Sequence, residues 1–471
     1  MTAGPATDPR AAAATAAPKR RGTELAMLGF AVLITVAGQC IVDITLTNAL
    51  SPQLATFGIW ITLLWTGAHL AVRRWAPYAD PLLLPAVALL VGLGLTMIHR
   101  LDLGGSASTG GGGTANDART QLVWATLGVV VFVVVLVGVR DHRILSRLAY
   151  TLALVGLILL AIPAVLPSSI SEVNGAKLWI RLGGFSIQPG EFAKICLIVF
   201  FASYLVDKRD VLALASRRVM GLELPRGRDL GPVLLAWVLS ILIMVFESDL
   251  GSSLLIFGIF VVMLYVATER ASWLVIGLGL FAAGAFLAYE VISHVRVRVD
   301  VWLDPFAYRN GSGYQLVQSL FGLGTGGIFG AGLGAGRPDQ VPVAKSDFIA
   351  SAIGEELGLF GLVAVILLYL ILVERGLRTS LIVRDAFGKL LAAGLAFAMA
   401  WQVFVILGGV TGLLPLTGLT TPFLAYGGSS LVANFGLVGI LVRISDAARR
   451  PPTTPQAVPS FVDAPTEVVK P

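Results

Sequence analysis

The chain has 471 residues, of which 56% are hydrophobic and only 13% charged, and its mean hydropathy is +0.84. This balance excludes an ordinary soluble protein of two or three domains, because no aqueous fold of this length buries so large an apolar fraction. The net charge of +6 and sequence pI near 9.4 fit contact with anionic lipid headgroups better than with nucleic acid, and no nucleic-acid partner is expected.

Apolar runs of about 18–25 residues, each long enough to cross the hydrocarbon core as a helix, recur along the chain. They fall near 24–44, 52–72, 80–98, 121–138, 146–166, 189–206, 230–247, 250–268, 272–293, 348–374, 388–411 and 424–443, about twelve spans by the window criterion. The expected fold class is therefore an all-α polytopic transmembrane bundle. Residues 1–22 and 447–471 read as flexible cytoplasmic tails, and 104–118, with its Gly110–Gly113 run, as an external flexible loop.

Connections between spans alternate in charge. Arg73 and Arg74, Arg140 to Arg147, Lys208 to Arg228, Arg375 to Arg384, and Arg443, Arg449 and Arg450 all fall on one side of an alternating topology. The positive-inside rule makes that side, and both termini, cytoplasmic. The long connection 294–347 then lies outside, with an amphipathic piece at Tyr314–Phe321 and a glycine-dense segment at Gly322–Gly336. Those glycines serve tight turns and close packing; their spacing matches neither common phosphate-binding loop.

Ionisable groups at membrane depth are costly, so each needs a partner or a role. Glu191 and Lys194 share a helix face at the start of the sixth span, and Asp249 sits in a tight connection between two spans. Asp347 marks the outer entry to the tenth span, with Glu355 and Glu356 two turns deeper. Each has a plain structural reading: Glu191 paired with Lys194, Asp249 as a helix cap, Asp347 as a cap paired with Lys345. Their shared outer level favours a site. The two cysteines, Cys40 and Cys196, lie inside predicted spans, and the histidines 69, 99, 142 and 294 lack paired ligand spacing, so no dedicated zinc site is expected.

Six segments occur in family order: Asn174–Lys194, Ser248–Ser252, Arg298–Pro305, Gly313–Ser319, Ser346–Gly358 and Pro415–Ser430. On these the chain resembles the SEDS family, the membrane glycosyltransferases of bacterial cell-wall synthesis that include RodA and FtsW. The resemblance covers residues 80–446 as a core, and the two additional spans within 23–79 are similar to the actinobacterial RodA branch. It departs at Leu178, where an arginine is usual, at Gly190 within the QPSE-type motif, and at Ala425.

The resemblance implies a peptidoglycan glycosyltransferase that polymerises lipid II on the outer face of the cytoplasmic membrane, releasing polyprenyl pyrophosphate. The family's catalytic aspartate falls on Asp347, which as a base would accept the proton of the attacking hydroxyl in a single inverting displacement. Arg298, Lys194, Arg337 and Lys345 are the cations available to the leaving pyrophosphate, Arg298 first because it matches a family position. Glu191, Asp249, Glu355 and Glu356 would form a supporting acidic cluster. Mg²⁺ or Mn²⁺ near Asp347 and Asp249, held largely through water, is the one cofactor expected, and no organic cofactor. The implied partner is a class B penicillin-binding protein. The competing readings are a flippase or transporter of lipid-linked precursors and a non-catalytic scaffold of the cell-wall machinery.

Overall fold

The computed structural model describes residues 20–104, 116–173, 176–182, 185–209, 217–219, 222–224, 227–246 and 249–451. Nearly all of both expected tails, the Gly110–Gly113 run, Ser248 and most of the basic segment from Lys208 to Arg228 lie outside the described residues.

Twelve long helices fall on the expected spans. They are α1 (Arg21–Thr47), α2 (Leu54–Trp75), α3 (Leu83–Leu103), α4 (Asp117–Gly138), α5 (Ala149–Val165), α6 (Gly190–Asp207), α7 (Gly227–Phe246), α8 (Leu250–Thr268) and α9 (Ser272–Val291). After α10 (Ser293–Leu303) and α11 (Tyr314–Gly326) in the long connection come α12 (Ile349–Ile382), α13 (Ala386–Val410) and α14 (Gly428–Arg449). Among the described residues, nine helices are long and apolar enough to cross a membrane, and α5 and the Leu234–Val245 part of α7 are apolar but shorter. The protein is a polytopic helical membrane protein.

The helices start and stop where side chains satisfy their free backbone groups. Asp249 caps α8 by accepting the Ser252 N–H at 2.9 Å, and Asp385 caps α13 by accepting that of Gly388 at 2.7 Å. The bundle pairs α1 with α3, α4 with α14, α5 with α6, and α12 with α13. Its core is aliphatic with aromatic joints, such as Phe423 edge-on to Phe435 at 5.5 Å between ring centroids. By contrast α9 buries only Gly277 and turns Leu278, Phe286 and Leu287 outward. Such a face is stable only against lipid or another apolar surface.

Two features depart from a plain bundle. The segment between α5 and α6 folds into two small antiparallel hairpins, pairing Glu172 with Lys177 and Ile180 with Ile187; apolar residues alternating with polar ones over so short a stretch favour strand pairing. The second is a break in α12 at Gly358, whose φ of +67° a side chain would oppose. The glycine-dense segment repairs it. Ala331 and Gly332 donate to the freed carbonyls of Glu355 and Glu356 at 2.9 Å each, while Leu359 and Phe360 donate back to Gly327 and Ile328. Irregular backbone at this depth persists because these hydrogen bonds satisfy the freed backbone groups.

The arginine-rich connections between spans lie together at one end of the bundle. At that end Arg449 meets Asp80 at 2.5 Å, Arg450 meets Asp446 at 2.6 Å, and His142 meets Asp385 at 2.9 Å. The opposite end carries the start of α12 and the groups that form the site.

Candidate active site

Asp347 stands at the last turn before α12, in a loop that the bundle grips on both flanks. Two residues earlier, the Lys345 ammonium donates to Asp102 at 2.6 Å and to Asp117 at 2.8 Å, which joins the loop to the facing ends of α3 and α4. The Lys345 carbonyl accepts the Tyr426 N–H at 2.7 Å, and Phe348 on the other side is fully buried. Asp347 therefore has a defined position without a covalent or ionic tether of its own.

It lines a cavity of about 320 Å³ with Arg298, Trp302, Gln315, Thr417 and Gly418. Arg298, from α10, donates through Nη1 to the carbonyls of Leu416 at 3.1 Å and Thr417 at 3.2 Å. Gly418 has φ +72°, and a Cβ there would stand 3.9 Å from both Arg298 Nη2 and Asp347 Oδ2. The residue is thus a glycine where the backbone must turn left-handed beside both side chains. Trp302 Nε1 donates to the Gly412 carbonyl at 2.9 Å, so α10 is hung from the same 411–427 loop at a second point.

The electrostatics suit a proton acceptor. Burial pushes the Asp347 carboxyl up to about 6, against the opposing pull of a Ser346 hydrogen bond and the Arg298 charge. Burial lowers Arg298 from its ordinary value, with Asp249 and Asp347 acting in the other direction. Asp249 is likewise raised, first by burial, and the nearby Glu191 adds to the shift. A carboxylate that ionises close to neutrality is matched to taking a proton from a hydroxyl.

The remaining sequence-derived residues divide by location. Glu191, Lys194 and Asp249 lie behind the cavity wall. Lys194 Nζ donates to Glu191 at 2.6 Å and to Gln402 Oε1 at 2.7 Å, and Gln402 donates in turn to the Thr420 carbonyl at 3.1 Å. This chain reaches the same 411–427 loop from below. Glu356 takes Arg100, which also donates to the Gly336 carbonyl at 2.6 Å, and Glu355 takes the Arg337 N–H at 2.6 Å. Those two glutamates brace the glycine-dense segment and do not line the Asp347 cavity. Arg337 is exposed at a separate cavity on the other side of α11. Lys345 pairs with Asp102 and Asp117, not with Asp347.

Sequence reasoning missed Asp102, Asp117, Arg100 and Gln402. The first three stand at helix ends on the same level as Asp347, so the cost of charge at a span boundary was a signal for them too. Gln402 is a lone amide in an apolar run. Among the described residues no group of three or more His, Cys, Asp or Glu side chains is placed to hold a metal ion.

Comparison with known proteins matches this architecture. The family model of FtsW, RodA and SpoVE cell cycle proteins matches residues 81–450. The peptidoglycan glycosyltransferase RodA of Mycobacterium tuberculosis is 54% identical over 454 residues, 96% of each chain. A chain from a peptidoglycan synthase complex, described as coordinating polymerization and crosslinking, superposes with a TM-score of 0.62 at 27% identity, covering 79% of this chain and 98% of that one. The rod shape determining protein RodA of Thermus thermophilus does so with a TM-score of 0.54 at 27% identity, covering 78% and 96%. The chain belongs to the FtsW, RodA and SpoVE family of cell cycle proteins.

Proposed function

We propose that the protein is a peptidoglycan glycosyltransferase that polymerises lipid II at the non-cytoplasmic face of the membrane, with Asp347 as the base. The observation that carries this is the placement of a carboxyl of raised pKa, Asp347, with Arg298 in one cavity of a RodA-like bundle. Asp347 takes the proton as the 4-hydroxyl of the acceptor sugar attacks the anomeric carbon of the donor. The bond to the polyprenyl pyrophosphate breaks from the opposite face, so the α linkage becomes β.

Arg298 is the cation left for the departing pyrophosphate. Its Nη1 is committed to backbone carbonyls, while Nη2 points to the Gly418 turn beside Asp347. Lys194 and Lys345 are engaged by carboxylates and Arg337 opens on a different cavity. Preorganised positive charge where negative charge develops is the main electrostatic lever available to such a site.

Sidedness rests on charge: the arginine-rich connections gather at the end of the bundle opposite Asp347, which favours both termini in the cytoplasm. A divalent cation fits the site only in part. Among the described residues Asp347 is the one carboxylate that lines the cavity, and Asp249 lies behind the wall near the Arg298 guanidinium, so Mg²⁺ or Mn²⁺ would rely on water and substrate oxygens for most of its ligands. Bound there it would supply charge neutralisation at the pyrophosphate. The likeness to a chain of a peptidoglycan synthase complex supports a class B penicillin-binding protein as partner.

The test is polymerisation of purified lipid II by the protein with its transpeptidase, in lipid nanodiscs, with and without EDTA. Glycan product that disappears in Asp347→Ala, with the fold retained, supports the reading. Lipid II crossing leaflets with no glycan formed would replace it by a flippase, full product from Asp347→Ala would remove Asp347 from the mechanism, and neither glycan nor lipid movement from the unaltered protein would leave a scaffold.

A further inference from the structure

A second polar cavity, of about 320 Å³, lies between the N-terminal helix pair α1 and α2 and the ends of α3 and α4. It sits at the same end of the bundle as Asp347. Arg119 on its wall follows Asp117, which accepts the Lys345 ammonium, and the last turn of α1 touches the glycine-dense segment, where a Cβ at Gly334 would stand 3.0 Å from Thr45 Cβ. Residues from α1 and α2 supply a large part of the wall, and they precede the residues 81–450 that the family model matches. The cavity is thus an addition to the common core.

Its lining is unusual for a helix junction that faces lipid. Gln39 is only 5% exposed, yet no described residue hydrogen-bonds its amide, and it lines the cavity. An amide that opens on a cavity makes its hydrogen bonds there, to water or to a ligand. Asp43, 1% exposed, accepts from Ser51 N–H at 3.0 Å and lies 2.7 Å from His99 Nε2. The Trp60 indole is fixed by its donation to Thr126 Oγ1 at 3.1 Å. Gln53 and Arg119 stand exposed at the mouth.

We propose that this cavity is a second saccharide subsite that holds an N-acetylated sugar of the glycan strand; the proposal rests on the glycosyltransferase reading. The two amides, Gln39 and Gln53, each offer a donor and an acceptor to sugar hydroxyls and acetamido groups. Trp60 offers an apolar ring face to a pyranose. A phosphate is disfavoured, because the buried Asp43 carboxylate would oppose it and Arg119 is the one Lys or Arg on the wall. A polymerase that holds a sugar unit away from the reacting bond keeps its strand between additions, so the subsite acts on strand length.

The experiment uses the full chain in nanodiscs and a soluble tetrasaccharide of alternating N-acetylglucosamine and N-acetylmuramic acid, with binding followed by calorimetry. Saturable binding is expected, weakened by about tenfold in Gln39→Leu and by several-fold in Arg119→Ala, and unchanged in Asp347→Asn. Both cavity variants should make shorter strands at an unchanged rate of first coupling. Arg119 is exposed, so its variant keeps the test informative if Gln39→Leu does not fold. Absence of binding to the unaltered protein, equal affinity in both cavity variants, or loss of binding in Asp347→Asn overturns the subsite. A protein that binds the tetrasaccharide through Gln39 but polymerises nothing would instead sink the glycosyltransferase reading.

Discussion

Lys345 and Asp117 stand 2.8 Å apart although 228 residues separate them in the chain, and the same ammonium lies 2.6 Å from Asp102. This three-way contact joins the ends of α3 and α4 to the loop that carries Asp347. It converts a cation that the sequence offers to a pyrophosphate into a fastening for the loop that carries Asp347.

Replacing the proposed base gives the sharpest outcome. Asp347→Asn keeps the shape and removes the proton acceptor, so lipid II polymerisation should fall by at least about 10²-fold, the usual range for a positioned base. Because burial disfavours the ionised carboxyl, the variant should melt no lower than the unaltered protein at pH 8. Scanning fluorimetry alongside the polymerisation assay checks both.

The pH profile follows from the same group. With its carboxyl at about 6, Asp347 is mostly ionised at neutral pH, and the rate should drop about tenfold per pH unit well below that value. Arg298 acts to lower the value, so Arg298→Gln should move the acid limb upward. Stability runs the other way. A carboxyl raised in the folded state contributes stability that is full below the ordinary value of 3.8 and is lost as the pH rises through about 6. An acid limb that stays in place when Asp347 is replaced by glutamate and Arg298 by glutamine would assign the titration to another group.

Lys345 separates a structural role from a chemical one. Lys345→Met leaves Asp102 and Asp117 facing each other without their cation and should cost up to about 3 kcal/mol of stability, with loss of activity. The combined variant Lys345→Met, Asp102→Asn and Asp117→Asn removes the stranded charges and should recover most of both. Recovery of melting temperature without any recovery of turnover would place Lys345 on the substrate after all.

The buried pair behind the cavity obeys the same logic. Lys194 and Glu191 are 2% and 5% exposed, and breaking such a pair by Lys194→Met should destabilise by about 3–5 kcal/mol. Removing both partners, with Glu191→Gln added, should cost clearly less, as a double-mutant cycle in urea would read. Equal losses for the single and double variants would mean that Lys194 serves Gln402 and the 411–427 loop more than Glu191.

Much was legible along the chain because the relevant physics is local. Hydropathy over some twenty residues marks a span, and twelve runs became α1 to α9 and α12 to α14 with shifted ends. The amphipathic piece at Tyr314–Phe321 lies within α11, and the glycine-dense segment makes the turns and close contacts expected of it around the break at Gly358. The motif residues Asp347 and Arg298 met in one cavity. Charge at a span boundary also drew attention to Glu191, Asp249, Glu355 and Glu356, but the cost of burying a charge says only that a partner exists.

Which partner it is depends on distances between helices far apart in sequence. Only the folded bundle decided that Lys345 turns to Asp102 and Asp117, that Arg100 takes Glu356, and that Lys194 reaches Gln402 across 208 residues. The sequence alone set a helical membrane protein of a recognisable family, because span hydropathy and motif order are properties of the chain itself. The division of its ionisable groups between fastening and chemistry is a property of packing, since electrostatic energy depends on where helices bring charges together and on how much water is left between them.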